Sequence, residues 1–320
     1  MTTRWMKRCQ TVVGNCRLTP ALARCVGAVL LGVLLGIASP AVWAQAQPSN
    51  AITLRDDRGS ELTLAAPPQR IVSLLPSLTE SLCALGGCDR LVGTDRYSNW
   101  PERVKALPKL GGIEDANLER IVALKPDVVL AAPSARMVER LESLGLKVLV
   151  LESKTHADVQ RSLLLLSALL GTPASAAPVW DAIQRDVERA VARVPAALRG
   201  QRVYFEVDAT PYAAGEGSFI GETLARLGLA NVVPAALGPF PKLNPEFVVR
   251  ARPDLVMADK RTLDEMPRRP GWARLDALRN DRSCGFSNDR YELLVRPGPR
   301  LGEAALQLAD CLVTLRRRQP

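Results

Sequence analysis

The chain has a single histidine, His156, in 320 residues, and only 4% of its residues are aromatic. A zinc or manganese centre gathers several imidazole and carboxylate ligands, so one histidine argues against a metal site built from side chains. Catalytic signatures are also missing. No HExxH, GxSxG or GxxxxGK[ST] occurs, which removes the usual motifs of zinc proteases, serine hydrolases and P-loop NTPases. The run GEGSFIG at 215–221 imitates a phosphate loop weakly, and its glycines suit the edge of a cleft better. A hydrolase relying on His156 is the competing reading from another functional class. What is present is ordinary globular material. Charged residues make up 23% and hydrophobic residues 47%, enough for a large core in one domain or two.

The first 44 residues stand apart. They carry Arg4, Lys7, Arg8, Arg17 and Arg24 and no acid, and no charge occurs from Cys25 to Ala46. A basic start, an apolar run and small residues at a processing point describe a secretory signal. Val42-Trp43-Ala44 places cleavage after Ala44, with Ala44-Gln45-Ala46 as a second choice. The apolar run is also long enough to span a bilayer, so an uncleaved anchor is the alternative; Pro40 and the small residues favour cleavage. Cys25 precedes the apolar run, where a lipoprotein cysteine would follow it. These features imply export to a periplasm. Removing the five basic residues of the signal takes the net charge from +9 to +4, too modest and dispersed to suggest nucleic-acid binding. Four of the seven cysteines remain: Cys83, Cys88, Cys284 and Cys311. An oxidising compartment invites disulfides among them. Of the three pairings, Cys83–Cys88 and Cys284–Cys311 are favoured, with buried free thiols as the alternative.

Beyond the signal, residues 51–63 alternate apolar and polar around Asp-Arg-Gly, a hairpin pattern. Short buried strands then alternate with helices: RIVSLL, a helix capped by Ser77 with Glu80 as its capping-box partner, LVGT, a short helix capped by Asn117, DVVLA, ARMVERLESLG and KVLVLE. From 157 to about 197 the pattern is helical, broken at Gly171-Thr172-Pro173, with Val179, Ile183, Val187 and Val191 forming one apolar stripe. The strand–helix rhythm then restarts at RVYFEV and ends in a helix from about Pro299. The expected fold is α/β: two similar Rossmann-like lobes with mostly parallel sheets, residues 51–170 and 198–320, bridged by one long helix over 171–197. A helical connector is stiff, so little opening is expected.

Two internal echoes support the duplication. NLERIVALKPDVVLA at 117–131 and NPEFVVRARPDLVMA at 244–258 are identical at seven of fifteen positions, and Glu80, Leu82, Leu85 and Gly86 match Glu222, Leu224, Leu227 and Gly228. Most shared positions of the longer echo have an obvious structural use. The pair Glu119 and Glu246 does not. Each lies two residues after an asparagine cap, where the helix dipole tolerates an acid. Tolerance does not explain the same acid in both copies. On related lobes the two carboxylates occupy equivalent places on one face, too far apart for one catalytic event but suited to a symmetric partner with two basic sockets.

Several of the scarce aromatics fall in loops at lobe edges: Tyr97 and Trp100, Tyr212, Phe240 and Tyr291. Flat side chains with polar tips suit a large, flat, partly polar ligand, although packing under loops explains any one of them equally well. Arg296, in a Pro/Gly loop with Glu292 four residues earlier, is placed to hydrogen bond such a ligand or to form a surface ion pair; Arg300 fits the first turn of the last helix.

With these residues in view, the chain resembles the periplasmic substrate-binding proteins of ABC importers for cobalamin, ferric siderophores and haem. The likeness covers nearly all of the chain after the signal and is sharpest at NLERIVALKPDVVLA, which resembles the cobalamin branch. The resemblance implies a non-enzymatic receptor with no resident cofactor or metal. Glu119 and Glu246 would dock on arginines of a dimeric permease. Tyr97, Tyr212 and Phe240 resemble the aromatics of a corrin site, and Glu292 and Arg296 its polar contacts. Ile113 and Ala132 are aliphatic or small where the cobalamin branch is aromatic, and some haem receptors use a tyrosine near Tyr97, so haem and siderophores stay open as cargo.

Overall fold

The computed structural model describes residues 51–112, 115–133, 135–209 and 211–318; the expected signal and Ile113 lie outside them. The hairpin forms as β1 (Ile52–Arg55) and β2 (Glu61–Leu64), antiparallel around the Asp-Arg-Gly turn. The first sheet contains β3 (Ile71–Ser73), β4 (Leu91–Thr94), β5 (Val128–Ala131) and β6 (Val148–Val150), all parallel in the order β4-β3-β5-β6. Its connections carry α1 (Pro76–Ala84), α2 (Leu118–Ala123) and α3 (Ala135–Ser143). Two long helices follow, α4 (His156–Leu169) and α5 (Ala176–Arg193), separated by the Gly171–Pro173 break. The second sheet contains β7 (Arg202–Asp208), β8 (Tyr212–Ala213), β9 (Ala230–Asn231), β10 (Leu255–Asp259) and β11 (Ser283–Phe286). Around it lie α6 (Phe219–Arg226), α7 (Pro245–Ala251), α8 (Lys260–Glu265), α9 (Asp276–Arg279), α10 (Asn288–Leu294) and α11 (Leu301–Arg318).

The duplication is topological as well as sequential. Apart from the antiparallel β8, the second sheet runs β9-β7-β10-β11, all parallel, the same order as the first. Strand side chains alternate between two faces. Ile71, Val128, Leu130, Val203, Phe205, Leu255 and Met257 all join one core with α4, α5 and α11. Val72, Val129 and Val150 face away, under α2 and α3, and Tyr204, Val256 and Ala258 lie under α7 and α9. The long helices are thus a shared layer between two sheets.

The longer echo is now explained almost position by position. Asn117 and Asn244 cap α2 and α7, accepting from the backbone N–H of Arg120 and Glu246. Lys125 and Arg252 both take left-handed φ values, 46° and 45°, just before the shared proline. Asp127 then accepts the N–H groups of Gln69 and Arg70 at 2.8 Å, and Asp254 accepts that of Arg202 at 2.8 Å. The aspartates tie the start of β5 and β10 to the neighbouring central strand. Glu119 and Glu246 take no part in this scaffold.

Two expectations are corrected. Ser77 does not cap α1 and Glu80 forms no capping box: Pro76, whose fixed φ suits a first helical position, starts the helix earlier after an extended Leu75. The Ser77 Oγ is left without a hydrogen-bond partner. The connecting helix is shorter than 171–197, because Pro173–Ser175 forms a separate 3-10 turn and Val194 leaves the helix. Within its stripe Ile183 and Val187 are buried, while Val179 and Val191 are half-buried at its ends. The GEGSFIG run is a close backbone crossing: a Cβ on Gly221 would lie 2.0 Å from the Gly215 carbonyl oxygen. Disulfides join Cys83 to Cys88 at the end of α1 and Cys284 of β11 to Cys311 of α11.

Candidate functional site

The loop after β4 is held from below by a buried polar network. Asp95 accepts the N–H groups of Tyr97 at 2.7 Å and Ser98 at 3.0 Å, and also the Ser98 hydroxyl. The Lys109 ammonium donates to Thr94 Oγ1 (2.9 Å), the Ser98 carbonyl (2.6 Å) and the Val104 carbonyl (3.1 Å). Burial pushes the Asp95 carboxyl above its ordinary range and the Lys109 ammonium below its own, while each charge favours the other. This foundation presents Tyr97 at the loop tip with 56% of its surface exposed.

Opposite that loop lies Arg296, between α10 and α11. Its guanidinium donates to Glu80 Oε1 (2.9 Å), Asn99 Oδ1 (2.7 Å), the Tyr97 carbonyl (3.0 Å) and Glu292 Oε2 (2.7 Å). Three of these four acceptors belong to the first lobe, so Arg296 clasps the lobes together. Glu80 is almost fully buried, and burial raises its pKa against the opposing pull of Arg296 and Arg300. Arg300 adds a second clasp, its guanidinium 4.7 Å from the centre of the Trp100 ring. A third junction forms at the start of α4. Glu222 Oε2 accepts the His156 N–H at 2.7 Å, and His156 Nε2 lies 2.9 Å from Thr223 Oγ1 and 3.1 Å from the Phe219 carbonyl. Burial holds the imidazole below its ordinary pKa, so the ring is neutral and structural, and it lines neither cavity described below. The shorter echo thereby acquires a meaning. Glu80 and Glu222 each reach from their own half to a residue of the other.

Between the lobes lies a mainly apolar cavity of about 300 Å³, walled by Leu75, Pro76 and Tyr97 on one side and Glu292, Val295 and Arg296 on the other. Of the expected ligand residues, the structure brings Tyr97, Glu292 and Arg296 together here. Trp100 packs under Arg300 instead. Tyr212, 41% exposed, and Phe240 lie on one antiparallel ribbon of the second lobe, where Phe240 packs on Phe219 at 5.8 Å. A second, larger cavity of about 970 Å³ opens at the ends of β7, β10 and β11, and Tyr291 is part of its wall. Glu80 and Asn99 went unrecognised in the sequence. Glu80 stood in the shorter echo, and its recurrence as Glu222 was the available signal.

Glu119 and Glu246 are both exposed, and neither has an ion-pair partner among the described residues. Each sits in the first turn of a helix that runs back along its sheet from the carboxyl end. The backbone route is explicit for α2: Asn117 is hydrogen bonded to Leu110, and Leu110 to Thr94 at the end of β4. Among the described residues no cluster of three or more His, Cys, Asp or Glu is arranged to hold a metal, and no helix is long and apolar enough to cross a membrane.

Residues 71–284 match the family described as periplasmic binding protein. An uncharacterized ABC transporter substrate-binding lipoprotein, YvrC of Bacillus subtilis, is 28% identical over 272 residues, covering 82% of this chain and 85% of its own. A vitamin B12-binding protein of Vibrio vulnificus is 27% identical over 260 residues, covering 80% and 94%. The crystal structure of the periplasmic vitamin B12-binding protein BtuF of Vibrio cholerae superposes with a TM-score of 0.66 at 24% identity, covering 78% of this chain and 99% of that one.

Proposed function

Because the chain belongs to the periplasmic binding protein family, we propose that it captures a metal chelate between its lobes, cobalamin or a related corrinoid foremost, and delivers it to a dimeric ABC permease in the inner membrane. Residues 51–170 and 198–320 act as the two jaws, and the segment 171–197, whose helical part is α5, as the strut. Tyr97, Tyr212 and Phe240 supply flat surface, and Glu292 and Arg296 supply polar contacts. The protein works in the periplasm as a monomer after loss of residues 1–44, and its task is binding without catalysis. The observation that carries the reading is the pair Glu119 and Glu246: the same exposed acid in the first turn of both duplicated helices, unneeded by the scaffold and unpaired among the described residues. Two separated charges of one sign fix the register of a two-fold partner and speed encounter. The test is charge reversal. Glu119→Arg with Glu246→Arg should leave ligand affinity intact and abolish uptake in cells that depend on this receptor; uptake equal to wild type refutes the docking role. Haem or a ferric siderophore is the alternative cargo, and the spectra of the bound chelates separate the two readings on titration.

A further inference from the structure

The duplicated halves carry matching hollows at the amino edge of their parallel strands. Pro126 and Asp127 line the hollow of the first lobe, about 500 Å³, and their echo partners Pro253 and Asp254 line that of the second, about 570 Å³. The halves share one scaffold, so a difference between the hollows is one the scaffold does not require. In the first lobe the nearby bases are spent on structure. Arg70, just before β3, turns its guanidinium onto the carbonyls of Leu124 at 2.6 Å and Lys125 at 3.2 Å, closing the carboxyl end of α2. Lys147, the one base lining that hollow, donates to the Thr63 carbonyl at 2.6 Å.

The second hollow is lined by three arginines, Arg202, Arg252 and Arg274. Arg202 holds the position of Arg70: each gives its backbone N–H to the shared aspartate at 2.8 Å. Unlike Arg70, its side chain has no hydrogen bond or ion pair among the described residues, and neither has that of Arg274. Arg252 lies 4.0 Å from Asp276, an acid already shared with Arg279 at 3.8 Å. The other acid of the wall, Asp254, is the one bonded to the Arg202 N–H. Arg274 is firmly presented. Its 3-10 turn starts at Gly271, whose φ is 80°, and is anchored by the fully buried Trp272, whose Nε1 donates to the Pro245 carbonyl at 3.2 Å.

We propose that this hollow binds a phosphate or diphosphate group, with Arg202, Arg252 and Arg274 as its donors. Guanidinium forks pair bidentately with phosphate oxygens. Three forks around one space exceed what a single carboxylate uses, whereas a diphosphate offers oxygens on several sides. Open α/β sheets bind ligands at the carboxyl ends of their strands, and both cavities of the candidate site belong to that side of the second sheet or to the junction of the lobes. A phosphorylated ligand at the amino edge therefore leaves the cargo cleft free. Its phosphate is carried either by a free small molecule or by a lipid headgroup; the recognising chemistry is the same.

The test is calorimetric titration of the purified protein with sodium pyrophosphate, beside sedimentation with phosphatidylcholine vesicles with and without phosphatidic acid. Thermal unfolding checks each variant. Wild type should bind one pyrophosphate per chain. Arg202→Ala and Arg274→Ala should each weaken binding about tenfold, the loss of one charge-assisted contact. Arg274→Lys keeps the charge without the fork and should fall between wild type and Arg274→Ala. The control is Arg103→Ala with Arg185→Ala, two exposed arginines that do not line the hollow; it removes the same charge as the double variant Arg202→Ala, Arg274→Ala and should bind like wild type. Binding to phosphatidic acid vesicles alone, lost in Arg202→Ala with Arg274→Ala, assigns the phosphate to a lipid; pyrophosphate binding assigns it to a soluble ligand. Binding of neither, or equal losses in the control and in the hollow's double variant, overturns the site.

Discussion

Truncating Arg296 to alanine tests how the lobes are held. The side chains of Arg296 and Glu80 are 10% and 2% exposed. Removing the guanidinium deletes four hydrogen bonds at once and leaves Glu80 buried, with Arg300 as its nearest cation at 3.9 Å. Breaking a buried pair by deleting one partner costs roughly 3–5 kcal/mol. The lower end applies here, about 3 kcal/mol, because Arg300 remains and the orphaned carboxyl can take up a proton. For a chain of this size that corresponds to a drop of about 5 °C in Tm. The pH dependence has a definite sign. An orphaned, buried Glu80 has a raised folded-state pKa, so it binds a proton in the folded state more readily than in the unfolded chain, and stability is lost as pH rises through that folded value. The deficit of Arg296→Ala should therefore be small near pH 4 and grow toward pH 8. Urea unfolding of wild type, Arg296→Ala, Glu80→Gln and the double variant measures it. A coupling energy of about 2 kcal/mol is expected from the cycle. Additive single variants, or an Arg296→Ala cost below about 1 kcal/mol at neutral pH, would refute the clasp.

Three further outcomes follow from the same geometry. Replacing Cys284 and Cys311 by serine opens a bridge with a sequence separation of 27, against 5 for Cys83–Cys88; chain-entropy scaling gives losses of about 3.5 and about 2 kcal/mol, and equal losses in urea unfolding would contradict that ordering. Arg269 binds the fully buried Glu206 through two hydrogen bonds of 2.7 and 2.8 Å, so Arg269→Ala should cost about 3–5 kcal/mol, and a cost under 1 kcal/mol would show that Tyr204 suffices as partner. His156 is held below its ordinary pKa by burial, with Glu222 opposing, so the unfolded chain gains its proton first as pH falls below about 6.5. Wild type should therefore lose part of its stability advantage over His156→Gln between pH 7.5 and 5.5, and parallel stability curves would count against the buried neutral ring.

The parts of the fold that sequence revealed were those governed by local rules. Short apolar runs marked β3, β5, β7 and β10, the asparagine caps marked α2 and α7, and recurrence marked the two lobes. Ser77 misled because two starting signals compete there, and the ring of Pro76 fixes the backbone before a hydroxyl can cap it. The candidate site was legible in its members and not in their bonding. Arg296 and Glu292 stood out by residue type and spacing, but that Arg296 holds Glu80 across 216 positions is a product of tertiary closure. The larger cavity was invisible for the same reason, since three strand ends distant in sequence create it.

The connecting helix does not work alone. α11 lies along α5, close enough at one crossing that a Cβ on Gly302 would come within 2.5 Å of Asp186 Cβ, and Arg193 meets Asp310 at 3.1 Å farther along. Its sulfur bond to β11 fixes this second rod to the floor of one jaw. Two rods side by side resist flexing far better than one, and a carrier built on such a girder has little spare motion with which to let go of its load. Under the proposed receptor role, unloading would then fall to a partner that grips both jaws from outside.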